Sequence, residues 1–160
     1  MGFLEALEAT AFADWVLISM LGFPTLIALH SIGMGVAVGL SLIVTLRLNR
    51  VIERIDALLL PRLLTLAVGG FVLNLITGLA LFASRGSEYI TSGIFLLKML
   101  FVTVSAAILF WLRRQLLVSP PVTDVRAVDD GAKRMSVVFT ATWFCAVITG
   151  RLIAYLSDLY

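Results

Sequence analysis

The chain has 160 residues, of which 61% are hydrophobic and 14% are charged, and its mean hydropathy is +1.07. Soluble domains contain roughly 45–50% apolar and about 25% charged residues, so the composition excludes an ordinary soluble domain and predicts an integral membrane protein. The formal net charge of +2 comes from short basic clusters beside apolar segments, a pattern typical of cytoplasmic loops, so we expect no nucleic-acid partner.

The N-terminal segment, residues 2–21, is predicted to lie at the membrane surface. Residues 2–9 alternate apolar and acidic side chains at helical spacing, which indicates a short amphipathic helix. A second short helix is predicted over residues 14–21, because Gly22 and Pro24 follow it and proline disfavours helical geometry in the residue before it. The acidic residues stand where a signal peptide carries basic ones, so we expect the chain to be used whole.

Four apolar segments follow, each long enough to cross about 30 Å of hydrocarbon. The sequence therefore predicts an all-α, integral membrane four-helix bundle with an N-terminal amphipathic interfacial helix, built as a single domain over residues 1–160. The connection between the third and fourth crossings contains Pro120 and Pro121 and is predicted to be extended and solvated. The predicted crossings are residues 25–46, 63–84, 93–112 and 135–156.

Lysine and arginine are concentrated in the connections after the first and third crossings. An even number of crossings places both connections on the same face, which the positive-inside rule makes cytoplasmic. We therefore predict a multi-pass protein of the bacterial inner membrane, with both termini in the periplasm. The cations are Arg47, Arg50, Arg54, Arg62, Arg113, Arg114, Arg126, Lys133 and Arg134, and the opposite face carries Glu5, Glu8, Asp14, Glu88 and Asp158.

Small residues recur four apart along three of the crossings. Lipid tails are as apolar as leucine, so membrane helices associate through close packing of small residues and through polar contacts. These series predict the contacts between helices, and the same faces predict a homo-oligomer or a place in a larger membrane complex. The residues assigned to packing are Gly35, Gly39, Gly70, Asn74, Gly78 and Gly150.

Three ionisable residues lie inside crossings: His30, Lys98 and Arg151. At a rise of about 1.5 Å per residue, all three fall within about 6–9 Å of the outer boundary. Lys98 and Arg151 are close enough to that boundary to extend their charges to headgroups, Glu88 or Asp158. His30 is too short for that and is expected to point into the bundle, hydrogen-bonded to a neighbour such as Thr77.

The alternative interpretation is a ligand site in which these residues bind a cofactor. His30 with Met34, one helical turn away, offers imidazole and thioether, which suit copper(I) or haem iron, and Met20 and Met99 are further thioether donors. Lys98 and Arg151 would then pair with haem propionates or another anionic group. A haem held by two histidines needs a second histidine, which only another protomer supplies.

The chain lacks a recognisable catalytic set. Its serines are not accompanied by a matching histidine and acid, and the paired acids Asp129 and Asp130 fall in a solvated connection. We therefore expect a non-enzymatic accessory or small-ligand-binding component of the membrane. The alternatives are a haem- or quinone-linked electron-transfer protein and a copper-handling protein.

Four stretches carry a family resemblance: "PTLIALHSIGMGVAVGLSLIVTLRL", "LITGLALFAS", "FLLKMLFV" and "TGRLIAYL". Together they resemble a family of small bacterial inner-membrane proteins of unknown function. The resemblance implies a four-helix bundle with His30, Lys98 and Arg151 as motif positions. The first crossing is more distantly similar to CopD-type copper-resistance domains and to haem-binding cytochrome b-type bundles. This chain lacks the several histidines of those haem proteins.

Overall fold

The computed structural model describes the backbone of residues 2–118 and 124–156 and the side chains of residues 2–117 and 124–153. Within these ranges the chain is helical and forms no strand. Pro120, Pro121 and Asp158, which entered the sequence predictions, lie outside the described residues. The helices are α1 (Phe3–Glu8), α2 (Ala11–Ile18), α3 (Gly22–Leu48), α4 (Leu60–Thr91), α5 (Gly93–Val118) and α6 (Asp130–Leu156), with short 3₁₀ turns at Ala57–Leu59 and Val125–Ala127.

Helices α3 to α6 are each long and apolar enough to cross a membrane, so the protein is a multi-pass, helical membrane protein. Each predicted crossing lies within one of these helices, but the helices extend further than predicted. The second crossing was predicted to end at residue 84, whereas α4 continues to Thr91. The predictions stopped where the apolar sequence stops, but backbone hydrogen bonding continues through the polar residues that follow.

The four long helices form two antiparallel pairs. Helix α3 packs along α4, and α5 packs along α6; the pairs meet through α4 with α5 and through α3 with α6. The connection 49–56 and residues 124–129 lie at one end of the bundle, which we call the loop end. The turn at Ser92 and the helices α1 and α2 lie at the other, which we call the terminal end.

The apolar core is concentrated towards the loop end. Trp143 is 1% exposed and meets Phe71 and Phe139 edge to face, with ring centroids 6.2 and 6.4 Å apart. Along α5, the fully buried side chains begin at Ser105, and residues 93–104 contribute none. The four helices therefore share one apolar core in the loop half, to which the first part of α5 contributes no fully buried side chain.

Helices α3 and α4 touch backbone to backbone at Gly33 and Gly70. A Cβ at Gly33 would lie 2.7 Å from the backbone nitrogen of Asn74 and 2.8 Å from the carbonyl oxygen of Gly70. A Cβ at Gly70 would lie 2.9 Å from the carbonyl oxygen of Gly33. Carbon atoms do not approach that closely, so glycine at both positions is required for this helix separation.

The predicted packing role of Gly35 and Gly39 within the chain is wrong. A Cβ at either residue would meet no heavy atom within 4 Å. The buried series along α3 is instead Gly33, Ala37 and Ser41. It is shifted by two residues from the predicted series, so the face of α3 that packs in the bundle differs from the predicted face by about 200°. A role for Gly35 and Gly39 in contact with another chain stays a prediction.

The other residues assigned to packing lie at helix contacts. Gly70 and Asn74 are buried on the face of α4 that meets α3, and a Cβ at Gly78 would lie 3.1 Å from Cε1 of His30. A Cβ at Gly150 of α6 would lie 3.4 Å from Cε of Lys98 on α5. In α4 and α6, the small residues therefore mark the faces where neighbouring helices approach.

Helix α1 lies against a break in α4. The backbone of Arg85 departs from helical geometry, with φ −147° and ψ 37°. Just after this break, the carboxylate of Glu8 accepts hydrogen bonds from the backbone N–H and the hydroxyl of Ser87, both at 2.7 Å. Leu4 of α1 packs over Gly86. The amphipathic helix predicted at the N-terminus is thus attached to the bundle through one acidic and one apolar side chain.

The second short helix differs from its prediction by about a turn. It occupies Ala11–Ile18 in place of 14–21, and Thr10 caps it by accepting a hydrogen bond from the N–H of Ala13. Pro24 does not precede α3 but lies in its first turn, where proline leaves no hydrogen bond unmade. The proline was correctly placed at a helix boundary, but it begins the next helix.

The contact between Gly33 and Gly70 predicts a sharp difference between neighbouring glycines. Gly33→Ala or Gly70→Ala forces two backbones apart and is expected to lower the free energy of unfolding by about 1–3 kcal/mol. The matched controls are Gly35→Ala and Gly69→Ala, where a methyl group meets open space. The measurement is the thermal unfolding midpoint in detergent, and equal midpoints for Gly33→Ala and Gly35→Ala would contradict the contact.

The Glu8 contact predicts protection of the amides that follow the break in α4. Glu8→Gln replaces a carboxylate acceptor by a weaker amide, so hydrogen–deuterium exchange over residues 86–91 is expected to be faster at pH 7. Glu5→Gln is the control, because Glu5 accepts from the N–H of Gly2 within α1. Equal exchange in the wild type and Glu8→Gln would contradict the contact.

The same contact has a defined pH dependence. The backbone N–H and then the hydroxyl of Ser87 hold the pKa of Glu8 below its ordinary value. A carboxyl with a lowered folded pKa adds stability above its unfolded pKa and loses it as the pH falls through the folded pKa. The exchange difference between the wild type and Glu8→Gln is therefore expected to disappear in acid. A difference that persisted in strong acid would exclude the carboxylate as its cause.

Candidate functional site

His30 lies on the face of α3 that meets α4, in the terminal half of the bundle. Its backbone carbonyl accepts a 2.9 Å hydrogen bond from Nδ2 of Asn74. Its ring is half-buried beside Gly78, whose missing side chain leaves room for the imidazole. Nδ1 of the ring is 3.1 Å from the hydroxyl oxygen of Thr77. The predicted hydrogen bond between His30 and Thr77 is therefore confirmed.

The surroundings of Thr77 bear on which nitrogen of His30 carries the proton. The Thr77 hydroxyl is 2.7 Å from the carbonyl oxygen of Leu73 and 3.1 Å from that of Asn74. Its single hydrogen goes either to one of these carbonyls or to Nδ1 of the ring. We infer that it goes to the nearer carbonyl, that of Leu73, so that the hydroxyl oxygen accepts from Nδ1–H of His30. This arrangement leaves Nε2 of the neutral ring with a free lone pair.

Lys98 lies on the inward face of α5, two turns before the buried Ser105. Its stem crosses α6 at Gly150, with Nζ 3.6 Å from the position of a Cβ there. Among the described side chains, no ion pair or hydrogen bond satisfies this ammonium. An unpaired cation therefore lies at the contact between α5 and α6, in the same half of the bundle as His30.

Among the described residues, the acidic side chains of the terminal end form no ion pair with Lys98. Glu88, considered as its partner, lies 3.8 Å from Arg85 in the structure. Glu8 is bound to Ser87. Asp158, the other partner considered, lies outside the described residues.

Arg151 does not share the inward face with His30 and Lys98. It lies one residue after Gly150 on α6, so its side chain leaves the helix about 100° away from the direction of Gly150. The side chain is exposed. The sequence placed all three ionisable groups at one depth, but depth does not fix the direction of a side chain. The structure therefore places Arg151 on a different face of the bundle from His30 and Lys98.

The methionines supply little to a metal site. Met34 is half-buried on the same face of α3 as His30, one turn away, as predicted. Met20 and Met99, considered as additional donors, are 92% and 39% exposed. Among the described residues, no group of three or more His, Cys, Asp or Glu side chains surrounds a common point. The donors for a metal are therefore one imidazole and one thioether.

Asn74 has a role that the sequence did not predict. It was assigned to helix packing, and it is buried at the contact, but its side chain also binds the carbonyl of His30. Asn74 and Thr77 lie three residues apart on α4, so one face of this helix holds both the backbone and the ring of His30. A polar pair at that spacing, opposite the single histidine, is the pattern that points to this role.

Comparison of the chain with models of protein families, with characterised proteins and with solved structures finds no match. The site is therefore interpreted from its own geometry.

The hydrogen bond between Thr77 and His30 predicts a measurable effect on stability. Thr77→Val keeps the volume of the side chain but leaves Nδ1–H without an acceptor, and is expected to lower the free energy of unfolding by about 1 kcal/mol. Thr103→Val is the control, because the exposed Thr103 hydroxyl donates only to the carbonyl of Met99. The thermal unfolding midpoints are compared in detergent, and equal midpoints for both variants would contradict the assigned bond.

Proposed function

We propose that the protein is a non-enzymatic component of the bacterial inner membrane that binds a small, lipid-soluble ligand between His30 and Lys98. The observation that carries this proposal is the pair of unsatisfied groups in the terminal half: the lone pair on Nε2 and the ammonium of Lys98. A half-buried cation without a partner is costly inside a membrane span, and a ligand that supplies an acceptor removes this cost.

The two groups specify the chemistry of the ligand. Nε2 of His30 accepts a hydrogen bond, so the ligand offers an N–H or O–H group there. Lys98 donates, so the ligand offers an oxygen acceptor or a negative charge to it. Residues 93–104 of α5 contribute no fully buried side chain, so such a molecule would enter from the lipid phase beside them. A lipid-soluble molecule with a hydroxyl and a second oxygen meets these requirements.

The second candidate function is quinone-linked electron transfer, and the tautomer of His30 favours it. A quinol hydroxyl donates to a neutral Nε2, and a quinone oxygen accepts from an ammonium. Thr77, by accepting from Nδ1–H, would leave Nε2 of His30 free for the quinol hydroxyl, and Lys98 would donate to the quinone oxygen. The protein would then position the head of a membrane quinone for a partner that exchanges its electrons.

The donor set fits haem and copper less well. A haem held in one chain needs axial ligands on opposite faces, but His30 and Met34 project from the same face of α3. A b-type haem would therefore take its second ligand from another copy of the chain. Copper(I) would have the imidazole of His30 and the thioether of Met34 as its two protein ligands.

We also propose that the terminal end faces the periplasm and the loop end the cytoplasm. The support is the concentration of lysine and arginine in the connections at the loop end. Membership of the bacterial inner-membrane family that the chain resembles stays a prediction. It would agree with this placement. The proposed partners are the lipid bilayer and, through Gly35 and Gly39, a second copy or another membrane subunit.

The proposal predicts that a small molecule is purified together with the protein. Protein in mild detergent is extracted with organic solvent, and the extract is compared by mass spectrometry between the wild type, His30→Ala and Lys98→Gln. Loss of one charge-assisted hydrogen bond is expected to lower the retained ligand by about tenfold in each variant. Arg151→Gln is the control, because Arg151 is exposed outside the site.

Two results separate the candidate functions. Retention of a quinone, or binding of an added short-chain ubiquinone that requires His30, supports electron transfer. A reduced-minus-oxidised haem spectrum that is lost in His30→Ala would replace both proposals with haem binding between copies. The same extract from all four proteins, with no binding of the ubiquinone, would contradict a ligand site at His30 and Lys98.

A further inference from the structure

A charged pocket lies at the loop end of the bundle, whereas His30 lies in the terminal half. Its volume is about 330 Å³, which is within the range of small-molecule sites. It is formed where the last turn of α3 meets the connection that follows it and the 3₁₀ turn before α6. The lining residues are Arg47, Arg50, Glu53, Asp124, Val125 and Arg126.

Both walls of the pocket are fixed to the helical bundle. On one wall, Nε of Arg47 donates to the carbonyl of Ile55 at 2.5 Å, which ties the connection to the end of α3. On the other, Val125 is 2% exposed within the apolar core, and the carboxylate of Asp124 accepts from the backbone N–H of Arg126 at 2.9 Å. The backbone on both sides of the pocket is therefore anchored, on one side by the Arg47 hydrogen bond and on the other by the buried Val125.

The pocket has an excess of positive charge. Its three guanidinium groups exceed its two carboxylates by one, and Glu53 is already paired with Arg50 at 3.6 Å. Among the described residues, Arg47 and Arg126 take part in no ion pair. Guanidinium groups match the oxygens of a phosphate in geometry and charge, and a phosphate diester carries the single negative charge that balances the excess.

The position of the pocket favours a lipid over a soluble phosphate. Arg47 lies one residue before the end of a membrane-spanning helix, the depth at which lipid headgroups meet the protein. The same connection exposes Val51 and leads to the exposed Leu58, which offer apolar surface beside the charged pocket. We propose that this pocket binds the phosphate diester of a glycerophospholipid from the leaflet at the loop end.

The test uses the full chain in mild detergent and native mass spectrometry. Delipidated protein is titrated with phosphatidylglycerol, with phosphatidylethanolamine and, separately, with soluble glycerol phosphate. One tightly retained phospholipid per chain is expected in the wild type. Arg126→Gln and Arg47→Gln are each expected to weaken its retention by about tenfold. Arg54→Gln and Arg62→Gln are the controls, because both remove an exposed charge at the same end but outside the pocket.

Each outcome decides the proposal. Selective loss of phospholipid in the Arg126→Gln and Arg47→Gln proteins, with controls like the wild type, supports it. Equal retention by all variants assigns the lipid to the general membrane surface and overturns it, and so does binding of glycerol phosphate as tightly as the lipid. Arg126 is exposed and its backbone makes the capping bond, so Arg126→Gln remains informative if Arg47→Gln fails to fold.

Discussion

The structure depends on the backbone contact between Gly33 and Gly70. Membrane helices gain little from burying apolar side chains away from lipid, so close packing and polar contacts must hold them together. Two facing glycines let α3 and α4 approach until their backbones touch. At this separation, Asn74 and Thr77 of α4 reach the carbonyl and the ring of His30, four and seven residues from Gly70. The helix contact therefore fixes the geometry of the candidate site.

The two halves of the bundle differ in the side chains that they bury. The loop half contains the aromatic cluster around Trp143 and polar bonds between α3 and α6, such as that from the Thr45 hydroxyl to the carbonyl of Ser136 at 2.7 Å. It gives the helices a common, well-filled core. In the terminal half, residues 93–104 of α5 contribute no fully buried side chain, and the ammonium of Lys98 has no partner among the described residues. The proposed ligand site thus lies apart from the aromatic core along the bundle axis.

The sequence predicted the fold better than the site. Four crossings follow from composition and length alone, because about 20 apolar residues have few other structures available in a bilayer. The hydrogen bond of His30 to Thr77 was also predictable, since a histidine in an apolar span needs a polar neighbour. The rotation of α3 about its axis was not predictable. Every second residue of "GMGVAVG" is small, so the pattern could not distinguish Gly33 from Gly35 as the residue that contacts α4. For Arg151 the sequence left two interpretations open, a charge extended to the membrane surface and a place in a ligand site, and the rotation of α6 in the structure exposes its side chain.

We infer that α4 holds the His30 ring with Nδ1 protonated and Nε2 free. This inference is tested by ¹⁵N NMR of protein labelled in histidine, because the chain contains a single histidine and its ring gives one unambiguous pair of signals. We expect a neutral ring with a protonated Nδ1 and an unprotonated Nε2, and a change of that pair in Thr77→Val. A ring protonated at Nε2 with a bare Nδ1 would contradict it.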